Sequence, residues 1–267
     1  ITSVFLNARI SPKSFNKWKY FSSYYKFITK TFFAIYAQSQ NDLKRIESLT
    51  NNEVKYLGNL KLTNKLKKLP NSSTSTNINI MIASTHHNEE DLIMPHIENI
   101  IKKYPLISFF IIPRHPERAK MVFNKLKSKK LNVGLHSTVK NNKFQFLIID
   151  SFGKMDEFYN KSDIVILGGS FTNNGGHNPI EAAVANCAIL TGPNVFNWQN
   201  LYEDMIDKNC CLMIKNSKEL EHNIINLIED KNLISNLKQN ALSFSESVFF
   251  DENKLLSIIN SKLESNA

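Results

Sequence analysis

Four short stretches hold the residue types that ligand chemistry needs. The richest is Gly168-Gly169-Ser170-Phe171-Thr172-Asn173-Asn174-Gly175-Gly176-His177-Asn178-Pro179-Ile180-Glu181, and four of the chain's eight glycines fall within it. It follows an apolar run and precedes a helix predicted to begin near Pro179. Glycines let backbone amides approach a ligand closely, and a helix start adds free N–H groups and a positive dipole end. Glu181, in the first turn, would repel a phosphate placed directly on it. A carboxylate there suits a pair of ribose hydroxyls, as acids do in nucleotide-binding folds. The residue types therefore point to a nucleotide lying across the loop, with phosphate and sugar at different points. Neither G-x-G-x-x-G nor G-x-x-x-x-G-K-[ST] occurs, which argues against dinucleotide enzymes and P-loop enzymes. Asp-x-Asp is absent too, which argues against a metal-dependent sugar transferase.

The other three stretches each follow an apolar run. Ala83-Ser84-Thr85-His86 offers hydroxyls and N–H groups that cap a helix or hold a phosphate. His86 and His87 stand beside Glu89 and Glu90, but no further ligand cluster supports a metal. Pro113-Arg114-His115-Pro116-Glu117-Arg118 places Arg114 at a strand end, where a planar guanidinium fork can meet a phosphate or carboxylate. Arg118 is expected on a solvated helix surface. Asp150-Ser151-Phe152-Gly153-Lys154-Met155 carries one glycine and reads equally as a ligand turn or as an ordinary strand-to-helix connection.

The elements that must position these stretches follow from periodicity. Short continuous apolar runs occur at 78–83, 107–112, 144–149, 164–167, 188–190 and 212–214, with helical patterns at 89–103, 117–129 and 197–208. Such runs alternating with helices imply a parallel sheet covered on both faces. Ligands of such sheets bind beyond the carboxyl ends of the strands, where all four stretches lie. The expectation is a doubly wound α/β domain of about six strands over 71–267, with a helical tail from Ser217 and no further strand. Ahead of it, residues 1–70 hold predicted strands at 4–8, 34–37 and 54–57 and a helix starting at Ser11-Pro12. The polar run 71–77 is the expected linker.

Composition narrows the partners. Apolar and charged residues make up 42% and 21%, as in globular proteins. No run reaches the 18 or more apolar residues of a membrane span, and no signal-peptide pattern opens the chain. Three cysteines, two of them adjacent, lack zinc or C-x-x-C spacing and fit a reducing compartment. The net charge of +9 is concentrated: residues 1–70 hold 13 Lys and Arg against 3 acids. A nucleic-acid partner is not favoured, since the charge is local and the glycine loop would go unexplained. Trp18, Phe21, Tyr25, Ile28 and Phe32 recur at spacings of three and four with lysines largely off that stripe. This pattern fits a core-packing helix or one lying in a membrane interface.

Taken together, these motifs resemble the Kdo (3-deoxy-D-manno-octulosonic acid) transferase family. The resemblance rests on residues 168–181, Ala-Ser-Thr-His (83–86), Pro-Arg-His-Pro-Glu-Arg (113–118) and Gly-Pro-Asn-Val-Phe-Asn-Trp (192–198). Asn7–Ser11, Ala37–Ser39 and Gly-Asn-Leu-Lys (58–61) add to it. It implies a GT-B-like α/β fold: a doubly wound parallel-sheet C-terminal domain preceded by the last part of an N-terminal Rossmann-like domain. It further implies metal-independent transfer of Kdo from CMP-Kdo to lipid IV-A, in lipopolysaccharide synthesis at the cytoplasmic face of the inner membrane. No cofactor is implied. By motif, Pro113, Arg114, Gly153, Lys154, Met155, Asn178, Pro179, Ile180 and Glu181 would bind the CMP moiety. Lys61 would stabilise charge developing in the transition state, a role open to a fixed cation.

Family members begin with a membrane-anchoring segment and most of a first domain, which supplies a glutamate as general base. This sequence starts late in that domain, so the expectation is a truncated enzyme, or one completed by a separate N-terminal half, which exposes apolar surface and turns over poorly alone. Two alternatives stand beside transfer: a non-catalytic binder of CMP or CMP-Kdo, and a GT-B transferase using a UDP-sugar.

Overall fold

The structure, a computed structural model, describes residues 3–60, 62, 78–139 and 144–264. Lys61 and the expected linker 71–77 lie outside the described residues. The chain divides into two compact units, residues 1–67 with 246–267, and residues 68–245.

The first unit is built on three parallel strands in the order β1-β2-β3, where β1 is Ser3–Ala8, β2 is Phe32–Ala37 and β3 is Val54–Tyr56. Ser11 caps the helix Pro12–Tyr20 by accepting from Ser14 N, with Pro12 at the first helical position, as the sequence predicts. A second helix, Ser22–Thr29, follows at once. On one face of the sheet Ala8, Ile35, Ala37, Ile46, Leu49 and Val54 are buried, with Trp18, Tyr25 and Phe32 packed against them. The predicted aromatic stripe is therefore divided: Trp18, Tyr25 and Phe32 serve the core, while Phe21 and Ile28 are exposed. The break between the two helices at Phe21 turns the rest of the stripe outward.

The second face is covered by the end of the chain. Tyr36, Leu57 and Phe250 form a buried cluster with Val4, Leu6, Leu255 and Ile258. Leu255 and Ile258 belong to the helix Glu252–Glu264, so residues 246–267 join the first unit instead of ending the second, as the expected boundary had it. Backbone bonds fasten them there: Asn59 N donates to Val248 O (3.0 Å), Phe250 N to Leu62 O (3.1 Å) and Asp251 N to Leu57 O (2.9 Å). Gly58 sits at the crossing with φ +88°, and a Cβ there would lie 2.0 Å from the Phe249 carbonyl oxygen. Only glycine fits both the left-handed backbone and the close approach.

The second unit holds seven parallel strands: β4 (Asn79–Thr85), β5 (Ser108–Pro113), β6 (Val133–Leu135), β7 (Phe146–Ile148), β8 (Ile164–Leu167), β9 (Ala188–Thr191) and β10 (Leu212–Met213). Their order is β10-β9-β8-β4-β5-β7-β6. Six were expected; β6 is the addition, a short edge strand beside β7. Every residue of β8 and β9 is buried, and helices cover both faces, so these strands are apolar without alternation. The helix Glu89–Lys103 has the predicted bounds. β4, the first strand of the unit, has β5 on one side and β8 on the other. The strand order reverses there, and doubly wound sheets open a ligand crevice at such a point.

Asp42 is fully buried in the first unit; its carboxylate accepts from Ile10 N (2.9 Å) and Ser39 Oγ (2.7 Å). Asp42→Ala should cost about 1–3 kcal/mol by leaving a buried donor unmet. Urea unfolding followed by Trp18 fluorescence in a Trp198→Phe background would measure it.

Candidate active site

The turns after β8, β4, β5 and β7 stand side by side along the carboxyl edge of the sheet. All four stretches singled out in the sequence are therefore neighbours. The glycine loop after β8 approaches the turn after β4 so closely that a Cβ on Gly168 would lie 2.7 Å from Ser84 O and 2.8 Å from Thr85 Cα. Behind the loop stands the stretch 192–198. Gly192 N donates to Ser170 Oγ (2.7 Å), Asn194 N to Ser170 O (3.0 Å) and Asn197 N to Gly175 O (3.0 Å). The Gly-Pro-Asn-Val-Phe-Asn-Trp motif thus acts as a brace for the glycine loop.

One carboxylate joins the two central turns. Glu89, the first residue of its helix, is fully buried. Its Oε2 accepts from Gly169 N (2.6 Å) and His86 N (2.8 Å), and its Oε1 from Phe171 N (2.9 Å). Sequence reading placed Glu89 beside the histidines only as a hypothetical metal ligand; the structure makes it the anchor of the glycine loop. Among the described residues no group of three or more His, Cys, Asp or Glu is arranged to hold a metal. Next to it, both carboxylate oxygens of Glu90 accept from Arg118 Nη2, at 3.0 and 2.8 Å, and Oε1 also accepts from Thr85 Oγ1 (2.7 Å). Arg118 also donates to Thr85 O (2.8 Å), and its side chain is only 15% exposed. It is not the solvated helix charge that the sequence suggested, because a short 3-10 turn, Pro116–Arg118, aims it inward at Glu90.

Arg114 has the opposite character. Its backbone N–H donates to Thr85 O (2.9 Å), while its side chain is exposed and has no ion-pair partner among the described residues. Beside it lie two histidines: His86 Nε2 and His177 Nε2 are 3.0 Å apart and their rings stack at 5.1 Å. Burial lowers both, His177 to about 4; the Arg114 charge pushes both the same way, the His86 ring adding to it at His177 and the His115 ring at His86.

On the other flank, Gly153 turns at φ +73° with open space where a Cβ would stand. Lys154 Nζ is engaged by Glu157 at 3.0 Å, and Met155 opens the helix Met155–Tyr159. Asn178 Oδ1 accepts from Ile180 N (3.1 Å), and Pro179 precedes a helix of only five residues, Ile180–Val184. The Glu181 carboxylate has no hydrogen-bond or ion-pair partner among the described residues, its backbone carbonyl accepting from Ala185 N (3.1 Å). Burial raises its carboxyl above the usual range, and nearby Asp156 adds to the rise. The repulsion between Asp156 and Glu181 shows that the helix after the β7 turn and the end of the glycine loop lie close together. The site offers an unmatched cation at Arg114, open backbone at Gly153 and an unmatched acceptor at Glu181.

The family described as 3-Deoxy-D-manno-octulosonic-acid transferase (kdotransferase) matches residues 1–64 by its sequence model. A 3-deoxy-D-manno-octulosonic acid transferase of Rickettsia prowazekii (strain Madrid E) is 33% identical over 256 residues, 91% of this chain and 55% of that protein. The C-terminal CMP-Kdo binding domain of WaaA from Acinetobacter baumannii superposes with a TM-score of 0.59 at 27% identity, over 62% of this chain and 87% of that domain. The chain belongs to the Kdo transferase family. Kdo transferases are glycosyltransferases, and the fold is GT-B: Anabaena Alr3699/HepE, solved with UDP and glucose, shares it at a TM-score of 0.53 and 13% identity, over 99% of this chain and 72% of that one. The chain spans about half the length of the curated relatives it matches.

Glu89→Gln would put an amide N–H₂ where three backbone N–H groups seek an acceptor. A loss of about 1–3 kcal/mol is expected. The amides of Gly169 and Phe171 should exchange with solvent faster, as read by hydrogen-exchange mass spectrometry.

Proposed function

We propose that the second unit binds CMP-Kdo, and that the protein moves Kdo from it to lipid IV-A in lipopolysaccharide synthesis. The observation that carries this reading is that Arg114, after β5, and Glu181, beyond the loop after β8, belong to the strand ends on either side of β4, each side chain without a hydrogen-bond or ion-pair partner among the described residues. In it Arg114 takes the phosphate, with the Pro113 turn fixing its backbone. Gly153, Lys154 and Met155 line the cytosine side with backbone groups, since the Lys154 ammonium is already held by Glu157. Asn178, Pro179 and Ile180 present Glu181 to the ribose hydroxyls, whose O–H groups would donate to its carboxylate. The similarity to a domain named for CMP-Kdo binding supports the same donor. Lys61 keeps its expected role of stabilising the transition state, although it lies outside the described residues.

Calorimetric titration with CMP, with UMP as control, tests the donor. We expect CMP to bind at least tenfold tighter than UMP, and Arg114→Ala and Glu181→Ala each to weaken CMP at least tenfold, about 1.4 kcal/mol or more. Equal binding of UMP would favour a UDP-sugar transferase. CMP binding that survives in both variants would remove the assignment of these residues.

A lipid acceptor requires approach to a membrane, and the first unit offers a surface for it. Tyr20, Phe21, Tyr24 and Phe27 are 88, 64, 60 and 70% exposed, and Tyr24 and Phe27 stack. Lys13, Lys17, Lys19, Lys26 and Lys30 are all exposed on the same two helices, and no acid occurs before Asp42. Aromatic side chains at the headgroup boundary with lysines on anionic phosphates would dock the unit at a bilayer surface. No helix of the described residues is long and apolar enough to cross a membrane. Joint replacement of Tyr24 and Phe27 by Ser should weaken co-sedimentation with phosphatidylglycerol vesicles at least tenfold, from the lost burial of two side chains. High salt should weaken the unsubstituted protein as well.

A further inference from the structure

We infer that His86 and His177 act as one proton-accepting unit, which charges when an anionic phosphate ligand seats beside Arg114. This rests on the reading of Arg114 as the phosphate site and adds to it a coupling between donor binding and proton uptake.

The geometry is that of a shared hydrogen. Two Nε2 atoms 3.0 Å apart on rings inclined by 16° require one to donate and the other to accept. The pair bridges the turn after β4 and the glycine loop, directly over Gly169, where a Cβ would lie 3.1 Å from the His177 ring and 3.3 Å from the His86 ring. His177 is fixed in place, since its carbonyl accepts from the buried Tyr202 hydroxyl (2.8 Å) and its ring is hydrogen-bonded by the Ser84 backbone.

Charges face the pair from every element around it. The β5 turn brings Arg114 and His115, whose ring meets that of His86 edge-on at 6.4 Å. Arg118 comes from the following 3-10 turn and Glu89 from the helix after β4. Arg118 is neutralised by Glu90. Glu89 favours a charged imidazole, but its oxygens already serve three N–H groups. Burial comes first in disfavouring the charged form of both rings, and Arg114, the unmatched charge, works in the same direction on each. A bound phosphate reverses the sign of the field at that position. One added proton then leaves an imidazolium bonded to an imidazole, a charge-assisted and stronger version of the existing contact. The proton comes from solvent, and no covalent bond changes.

The probe is cytidine 5′-(methyl phosphate), a diester with one fixed negative charge that does not titrate between pH 6 and 8. Calorimetry at pH 7 in two buffers of different ionisation enthalpy reads protons taken up per ligand bound. For the unsubstituted protein we expect uptake, and an affinity that rises at least threefold from pH 8 to pH 6, within the limit of about tenfold per pH unit for one linked proton. His86→Gln should flatten that dependence, whereas His115→Gln should keep it. The imidazole nitrogen shifts of His86 and His177 in the unsubstituted protein give a second reading that needs no variant to fold, and they should move toward imidazolium values on binding. Binding without uptake and with unmoved shifts would overturn the coupling while leaving the phosphate site standing. Uptake lost in His115→Gln and kept in His86→Gln would assign the proton elsewhere and overturn it as well. No binding of the probe at all would remove both readings.

Discussion

The buried carboxylate of Glu89 collects three backbone N–H groups from two turns that are 80 residues apart in sequence. A glycine-rich loop loses more conformational entropy on ordering than any other kind of segment. Here that cost is offset by bonds to an ionised acceptor, which are stronger than neutral ones. The brace from Gly192–Asn197 holds the same loop from the other side. Everything the site presents, from the histidine pair to Glu181, depends on that loop having one conformation.

The two acids at the start of this helix divide their work. Glu89 organises backbone, and Glu90 immobilises Arg118 and Thr85. Arg118 is thereby removed from the pool of charges that could meet a ligand, while Arg114, four residues earlier, stays unmatched. Two arginines in one short motif thus have opposite electrostatic fates, decided by whether a buried carboxylate lies within reach. A desolvated ion pair is costly to break from either side, so Arg118 is a fixed support and Arg114 the available cation.

The positions of six strands of the second unit and the bounds of several helices were legible because continuous apolar runs and helical periodicity report burial directly. β6 was not, since three residues centred on Gly134 carry too little apolar pattern to be told from a turn. The residues of the site were legible as types at strand ends. Their partners were not: nothing in a run of Glu-Glu-Asp shows that the first two point inward, and periodicity alone would put a helix-start acid in solvent. The destination of the C-terminal tail was hidden for a related reason. An amphipathic helix announces that one face is covered, but not by which sheet.

That tail has a consequence for how the protein is made. The face of the first sheet formed by Val4, Leu6 and Tyr36 is covered by Phe250, Leu255 and Ile258, the first of which a ribosome adds 214 residues after Tyr36. At about 5–20 residues per second the wait is roughly 10–40 s. Throughout it, β1, β2 and β3 keep an uncovered apolar surface, while the residues of the second unit emerge as one continuous block. The first unit is thus completed only after the whole of the second has emerged, and in that interval its open sheet face is the natural client of whatever chaperones attend the nascent chain.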